Sequence, residues 1–362
     1  MIWGKTKMPN DAMPMQRFPR DQIEAFMARC FAGAGLPDED AKTVGHLMAE
    51  ADMLGKDSHG IFRLPGYIGR VKAGGFNATP NMKVDREFAA TALLDGDNGM
   101  GHLVVKRAAD MAIEKAKAAG VGWVGLHHSN HAGAASVYSN MAMEHNMIGL
   151  YVAVGSANHL PPWGGTEMLL STNPISVSIP GDEENAIILD MSTTVTSYGK
   201  VKVYAQRGME MPEGWMINKD GTPLTDASKS DTGFLLPIGG PKGYGLALIF
   251  GILGGTLNGA NFGRNVVDLN ADPSSVTNPG QFYLAINIEA FIDPADLKRE
   301  SDGVIRQMRG SPTMGGVDRV RLPGESAHAA YADRTANGVP LPEPLLINLA
   351  KVAADLGVDE LA

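Results

Sequence analysis

Residues 103–133 constrain the fold more than any other stretch. Leu103 to Ala119 reads as an amphipathic helix, and residues 121–128 read as a strand. The strand runs into His127-His128-Ser129-Asn130-His131-Ala132-Gly133, which places three histidines within five positions. Ala134 to His145 follows as a small-residue segment with helical character. Helix, strand and loaded turn in that order point to an α/β fold, whose strand-end loops carry function. Imidazole both gives and takes a proton near neutral pH. His127 and His128 also read as packed or hydrogen-bonded strand-end residues. Small Ala132 and Gly133 leave room for a ligand beside His131, and Ser129 offers a hydroxyl.

The rest of the chain keeps the same alternation. Asp21 to Ala32 reads as a helix with Asp21 as its N-cap, and Pro37-Asp38-Glu39-Asp40 opens a second, packed as a hairpin. Asp57 to Tyr67 then gathers Ser58, His59, Arg63 and Tyr67. Arg63 and Tyr67 are spaced to share a helix face, with Pro65 allowing a late helix start. A planar guanidinium is the natural partner of a carboxylate. Further strands are expected at Ala89–Leu94, Met147–Val154, Ala186–Asp190 and Gln281–Ile288, and further helices at Pro294–Met308 and Pro344–Leu356. Met191-Ser192-Thr193-Thr194 is expected to cap a helix over Val195–Ala205.

Two loops are rich in glycine. Asp95 to Gly101 lacks the last glycine of a dinucleotide fingerprint, where Val104 stands, and the oxygen ligand of a calcium loop, where Gly99 stands. Gly239-Gly240-Pro241-Lys242-Gly243 puts a lysine in the first turn of an apolar helix. A cation there opposes the helix dipole by roughly 0.3–1 kcal/mol, so a bound anion would give it a reason to be there.

Lys and Arg number 31 against 40 Asp and Glu, a net charge of −9 with no basic run. That balance argues against a nucleic-acid or anionic-membrane surface. The single cysteine, Cys30, allows no intramolecular disulfide and fits a reducing, cytoplasmic compartment. Residues 1–17 carry methionines but no apolar signal core, so they read as an extension. No apolar run approaches the roughly 20 residues of a membrane span.

One ordered set of motifs resembles a known family. Ser58-His59-Gly60 with Arg63, Ser129-x-His131-x-Gly133, Thr172-Asn173-Pro174, Asp190-Met191-Ser192-Thr193, Gly240-Pro241-Lys242-Gly243 and Pro323-Gly324-Glu325 occur in the order of the non-Rossmann malate/L-lactate dehydrogenases. The resemblance covers about residues 18–362. It implies an α/β fold with a mixed, largely antiparallel central sheet flanked by helices, and accounts for the missing fingerprint. It further implies an NAD(P)-binding domain over 76–299 and a helical substrate and dimerisation subdomain over 18–75 plus 300–362.

The family resemblance implies NAD or NADP as cofactor, a 2-hydroxy or 2-oxo acid as substrate, and a homodimer. His131 matches the catalytic histidine. Ser58, His59, Arg63 and Tyr67 match the substrate side, with Ser58 and His59 close to the chemistry. Ser156, Thr172, Asn173, Pro174, Asp190, Met191, Ser192, Lys242 and Gly243 match the cofactor side. No metal is required. His131 then donates the proton to the substrate carbonyl and Arg63 anchors the carboxylate. Reduction of cyclic or N-alkyl imino acids is the alternative on the same scaffold, and a catalytically dead binding protein on that fold is another. A more remote one is a metal-dependent hydrolase with His127, His128 and His131 as ligands, although the sequence places no acidic residue beside them.

Overall fold

The computed structural model describes residues 15–361. Strand β1 (Met15–Phe18) leads into helices α1 (Arg20–Gly33), α2 (Asp38–Met53) and α3 (Leu64–Lys72). Next come β2 (Lys83–Glu87), β3 (Thr91–Asp95), α4 (Gly101–Ala119), β4 (Val121–His127) and the short α5 (Ala135–Ser139). Strands β5 (Met147–Ala153), β6 (Asn158–Leu160), β7 (Leu170–Ser171), β8 (Ile175–Ile179) and β9 (Ile187–Met191) follow. Helix α6 (Tyr198–Gln206), strands β10 (Met216–Ile217) and β11 (Phe234–Leu235), helix α7 (Pro241–Gly254) and strand β12 (Gln281–Asn287) complete the middle. Helices α8 (Pro294–Arg309) and α9 (Glu325–Asn337), strand β13 (Val339–Pro342) and helix α10 (Glu343–Leu356) close the chain.

The central sheet has seven strands in the order β2-β3-β4-β12-β5-β8-β9. Only β3 and β4 run parallel, and α4 makes the crossover between them. The sheet is therefore largely antiparallel, as the family resemblance implies. Helix α4 buries Val104, Val105, Ala108, Ala109, Ala112, Ile113 and Ala116 against the sheet. That small-residue stripe brings helix and strand very close: a Cβ on Gly122 would lie 1.9 Å from the Ala112 carbonyl oxygen. A second core joins α1, α2, α3 and α10 through Phe26, Met27, Phe31, Met48, Tyr67 and Leu349. Cys30 is buried in it as a free thiol. A smaller cluster of Val201, Tyr204, Trp215 and Leu235 holds α6 against β10 and β11.

Several local expectations are corrected. Pro19, not Asp21, occupies the N-cap of α1, and Asp21 sits in the first turn. Within the extension expected over residues 1–17, residues 15–17 form part of β1, which pairs with β13 from Met15 opposite Pro342 to Phe18 opposite Val339. The rest of that extension lies outside the described residues. The helix placed at 195–205 begins at Tyr198, and Ser197 caps it by accepting from the Lys200 amide. The 193–195 backbone is already committed: Thr193 N donates to Thr172 O and Val195 N to Leu236 O. The 134–145 segment is one α-helical turn followed by a 3-10 stretch, ended by Asn146 at φ 55.

Candidate active site

Sheet register gathers the site. Leu126 and Ala153 both face Gln281, Val152 faces Ile175, and Ile175 faces Met191. The ends of β4, β5 and β9 and the start of β8 therefore lie along one edge. His131, Ser156 and Thr172–Pro174 flank those strand ends, and Asp190–Ser192 spans the end of β9. An antiparallel sheet alternates chain direction, so segments far apart in sequence converge there.

The helical layer supplies the other wall. Asp57–His59 and Ile61–Arg63 form two 3-10 turns, and α3 starts at Leu64 with Pro65 in its first turn. Asp52 at the end of α2 supports this loop: its Oδ2 accepts from the Ile61 amide at 2.8 Å. A Cβ on Gly60 would collide with that carboxylate, so the loop closes over Asp52 only with glycine there. Burial raises the Asp52 pKa to about 8. From α9, Arg334 donates to the Asp52 carbonyl and the Asp57 carboxylate, tying down the other side.

These supports bring five predicted residues together. Tyr67 Oη and His131 Nδ1 are 2.5 Å apart. His59 stacks on His131 with ring centroids 5.8 Å apart. Ser58 Oγ lies 2.8 Å from His59 Nδ1, and Arg63 Nε donates to the Ser58 carbonyl at 2.9 Å. Burial, then the Arg63 charge, hold the His131 pKa well below 6.5. The same two causes bring His59 to about 4. Burial pushes the Tyr67 hydroxyl up, so it remains a proton carrier rather than a phenolate. The imidazoles are thus neutral at pH 7, and among the described residues no carboxylate forms an ion pair with the Arg63 guanidinium.

The cofactor-side residues are sorted differently. Thr172 O receives both the amide and the hydroxyl of Thr193, and Ile238 N donates to Thr193 O. The 172, 190–194 and 238–243 segments are therefore neighbours, as a shared ligand requires. Gly240 caps α7 with φ 64 and no side-chain cap bond, leaving the first-turn amides open at a helix start beside exposed Lys242. Trp163, also exposed, borders this cradle, since a Cβ on Gly240 would lie 3.3 Å from its ring.

Other members of the set have structural tasks. Asn173 is buried, accepting from the Gly155 amide and donating to the Ala247 carbonyl. A Cβ on Gly243 would meet the Ile238 carbonyl oxygen at 2.0 Å, so packing alone demands glycine there. Ser192 Oγ donates to Thr194 O, and Ser156 accepts from Leu269 N through its carbonyl. Pro174 and Met191 are half-buried beside the Ile175 strand start. Asp190 Oδ2 takes Ser136 Oγ at 2.6 Å and Lys56 Nζ at 3.0 Å, toward the His59 side.

Sequence reasoning missed Lys56 and His102. Lys56 adjoins Asp57-Ser58-His59, but nothing local shows that Asp190 faces it. His102 is buried edge-on to Tyr67, with neither ring nitrogen bonded, and burial lowers its pKa to about 3. Ser129 is corrected: its hydroxyl is buried and donates to Gln281, so it offers nothing to a ligand. The three histidines also separate. His131 turns to Tyr67, while His127 and His128 meet Asp85 and Asp95. Acidic partners therefore do stand beside them, contrary to expectation.

A mixed, largely antiparallel α/β sheet thus stands beside a neutral His–Tyr pair, a guanidinium and an uncapped helix start. The profile of the malate/L-lactate dehydrogenase family matches residues 18–350, and the chain belongs to that family. The malate dehydrogenase of Pyrococcus abyssi is 37% identical over 350 residues, covering 94% of this chain and 95% of that one. The NAD(+) ureidoglycolate dehydrogenase of Escherichia coli is 31% identical over 323 residues, covering 89% and 92%. The solved sulfolactate dehydrogenase from Methanocaldococcus jannaschii superposes with a TM-score of 0.89 at 35% identity, covering 95% and 98%.

Proposed function

We propose that the chain interconverts a small 2-hydroxy acid and its 2-oxo acid, with NAD or NADP, as a cytoplasmic homodimer. The observation that carries this is the Tyr67–His131–His59 cluster with Arg63 at one edge of the sheet. The names of its relatives, which act on malate, ureidoglycolate and sulfolactate, agree with a 2-hydroxy acid. The uncapped start of α7, its glycine turn and Lys242 fit a pyrophosphate, and Trp163 offers an exposed aromatic face. When bound, the nicotinamide supplies or accepts the hydride.

The chain's own residues handle the proton and the charge. Arg63 holds the substrate carboxylate, which cancels the cation that depresses His131. His131 Nε2 faces the reacting oxygen while Nδ1 stays engaged with Tyr67. In oxidation, neutral His131 keeps its Nδ1 proton in the hydrogen bond to Tyr67 Oη and receives the alcohol proton at Nε2. In reduction it returns that proton to the carbonyl oxygen. Tyr67 holds the ring in the required orientation in both directions, and Ser58 does the same for His59.

The test is a panel of 2-oxo acids and cyclic imines with NADH and NADPH. Oxo acids should turn over, and His131→Ala should lose at least about 10²-fold in kcat with unchanged NAD(P)H affinity. Near-normal turnover by the variant would remove His131 from the chemistry. Turnover of imines alone would move the substrate class to imino acids.

A further inference from the structure

The catalytic cluster leaves His127 and His128 unused, although they precede His131 by only a few positions. We propose that Asp95, His127 and His128 form a binding site for one divalent transition-metal ion, apart from the catalytic centre. Each offers one ligand atom, and the three atoms lie within 4.8 Å of one another. It is the one such group of three or more found among the described residues.

The fold builds this corner. Parallel pairing of β3 and β4 sets Asp95 opposite His127. His128 then adopts φ 47, a left-handed conformation rare for a non-glycine residue, and its Nδ1 comes 3.0 Å from Asp95 Oδ1. The two imidazoles sit 4.5 Å apart between centroids. From β2, Asp85 adds a carboxylate 2.8 Å from His127 Nε2. Backbone bonds hold the turn: Gly96 N to His127 O at 2.9 Å, Asn98 N to His128 O at 2.8 Å. The Asn278 side chain accepts from the His128 amide at 2.6 Å.

Chemistry selects the ion. Zinc binds imidazole nitrogen and carboxylate oxygen at about 2.0–2.2 Å, so tetrahedral donors lie roughly 3.4 Å apart. The present donor spacings, 3.0 Å between His128 Nδ1 and Asp95 Oδ1 and at most 4.8 Å within the group, bracket that value. A metal takes imidazole in its neutral form, so the three ligands carry a charge of −1 and the nearby Asp85 carboxylate adds a second negative charge, which suits a dication. Nitrogen donors favour zinc, nickel or copper over magnesium and calcium. His128 is half exposed, at 50%, and Asp95 is 28% exposed, so an ion can enter and water can complete its coordination.

The experiment is calorimetric titration of the full-length chain, stripped with chelator and free of any histidine tag, with zinc and separately with magnesium. One zinc per chain should bind, and magnesium should not at the same concentration. His128→Asn tolerates the left-handed backbone and removes the imidazole. Asp95→Asn keeps the shape and removes the charge. Each should weaken zinc binding at least about tenfold and abolish the zinc-dependent rise in melting temperature. His131→Ala should leave zinc affinity unchanged. Turnover of metal-free His128→Asn should match the metal-free wild type, which also shows that this variant is folded. The proposal is overturned by absence of zinc binding, by unchanged affinity in both His128→Asn and Asp95→Asn, or by loss of binding in His131→Ala.

Discussion

At the scale of single residues, the decisive feature is a histidine kept neutral by its surroundings. Burial and Arg63 both disfavour imidazolium at His131. The sign follows directly. A lowered pKa means that the base form persists to more acidic pH than in a free histidine. The acid limb of kcat/KM for hydroxy-acid oxidation should therefore fall off below pH 6.5, the ordinary histidine value. A pH–rate profile with its acid limb above 6.5 would contradict this. Arg63→Lys retains the charge but loses the planar fork. It should raise KM for the oxo acid more than Kd for the cofactor, measured by steady-state kinetics and fluorescence titration. A fall in cofactor affinity alone would place Arg63 on the other side of the site.

At the scale of elements, α7 buries its small residues and turns large apolar ones outward. Its buried positions are Gly243, Ala247, Gly251 and Gly254, while Leu246, Ile249 and Ile252 are exposed. The small face permits close approach: a Cβ on Gly251 would meet the Phe262 ring at 2.1 Å. At the start of the helix, Lys242 stands exposed beside amides that no side chain caps. Lys242→Ala removes an unfavourable dipole contact and opens no cavity, so its melting temperature should equal the wild type's. NAD(P)H binding should weaken by about 1.5–3 kcal/mol, the range for a hydrogen bond to a charged group, or about 10–150-fold in Kd. An unchanged Kd with a lowered melt would make Lys242 structural.

At the scale of the whole molecule, the outward apolar face of α7 continues into Leu257, which is 62% exposed. Contiguous exposed apolar surface marks an interface. A second copy of the chain is the occupant that the family resemblance implies. Light scattering should report a dimer at micromolar concentration, and Ile249→Glu should shift it toward monomer. A monomeric wild type would leave that face unexplained. None of the described helices is long and apolar enough to cross a membrane.

Local pattern was enough for much of this. The periodicity of residues 103–119 and the apolar run after it mark α4 and β4 because each records which face is buried. The four-residue spacing of Arg63 from Tyr67 is local as well, and both lie on the helical stretch from Ile61 to Lys72. Helix starts were less so: Asp21 and Thr194 have good capping chemistry, yet backbone pairing elsewhere decides where α1 and α6 begin. What only the tertiary structure decided is which polar groups meet. Tyr67 reaches His131 across 64 positions, and Lys56 reaches Asp190. Asp85 and Asp95 stand beside His127 and His128 because β2, β3 and β4 are adjacent. Such pairings depend on strand order and register, which are properties of the packed sheet as a whole and leave no periodic trace along the chain.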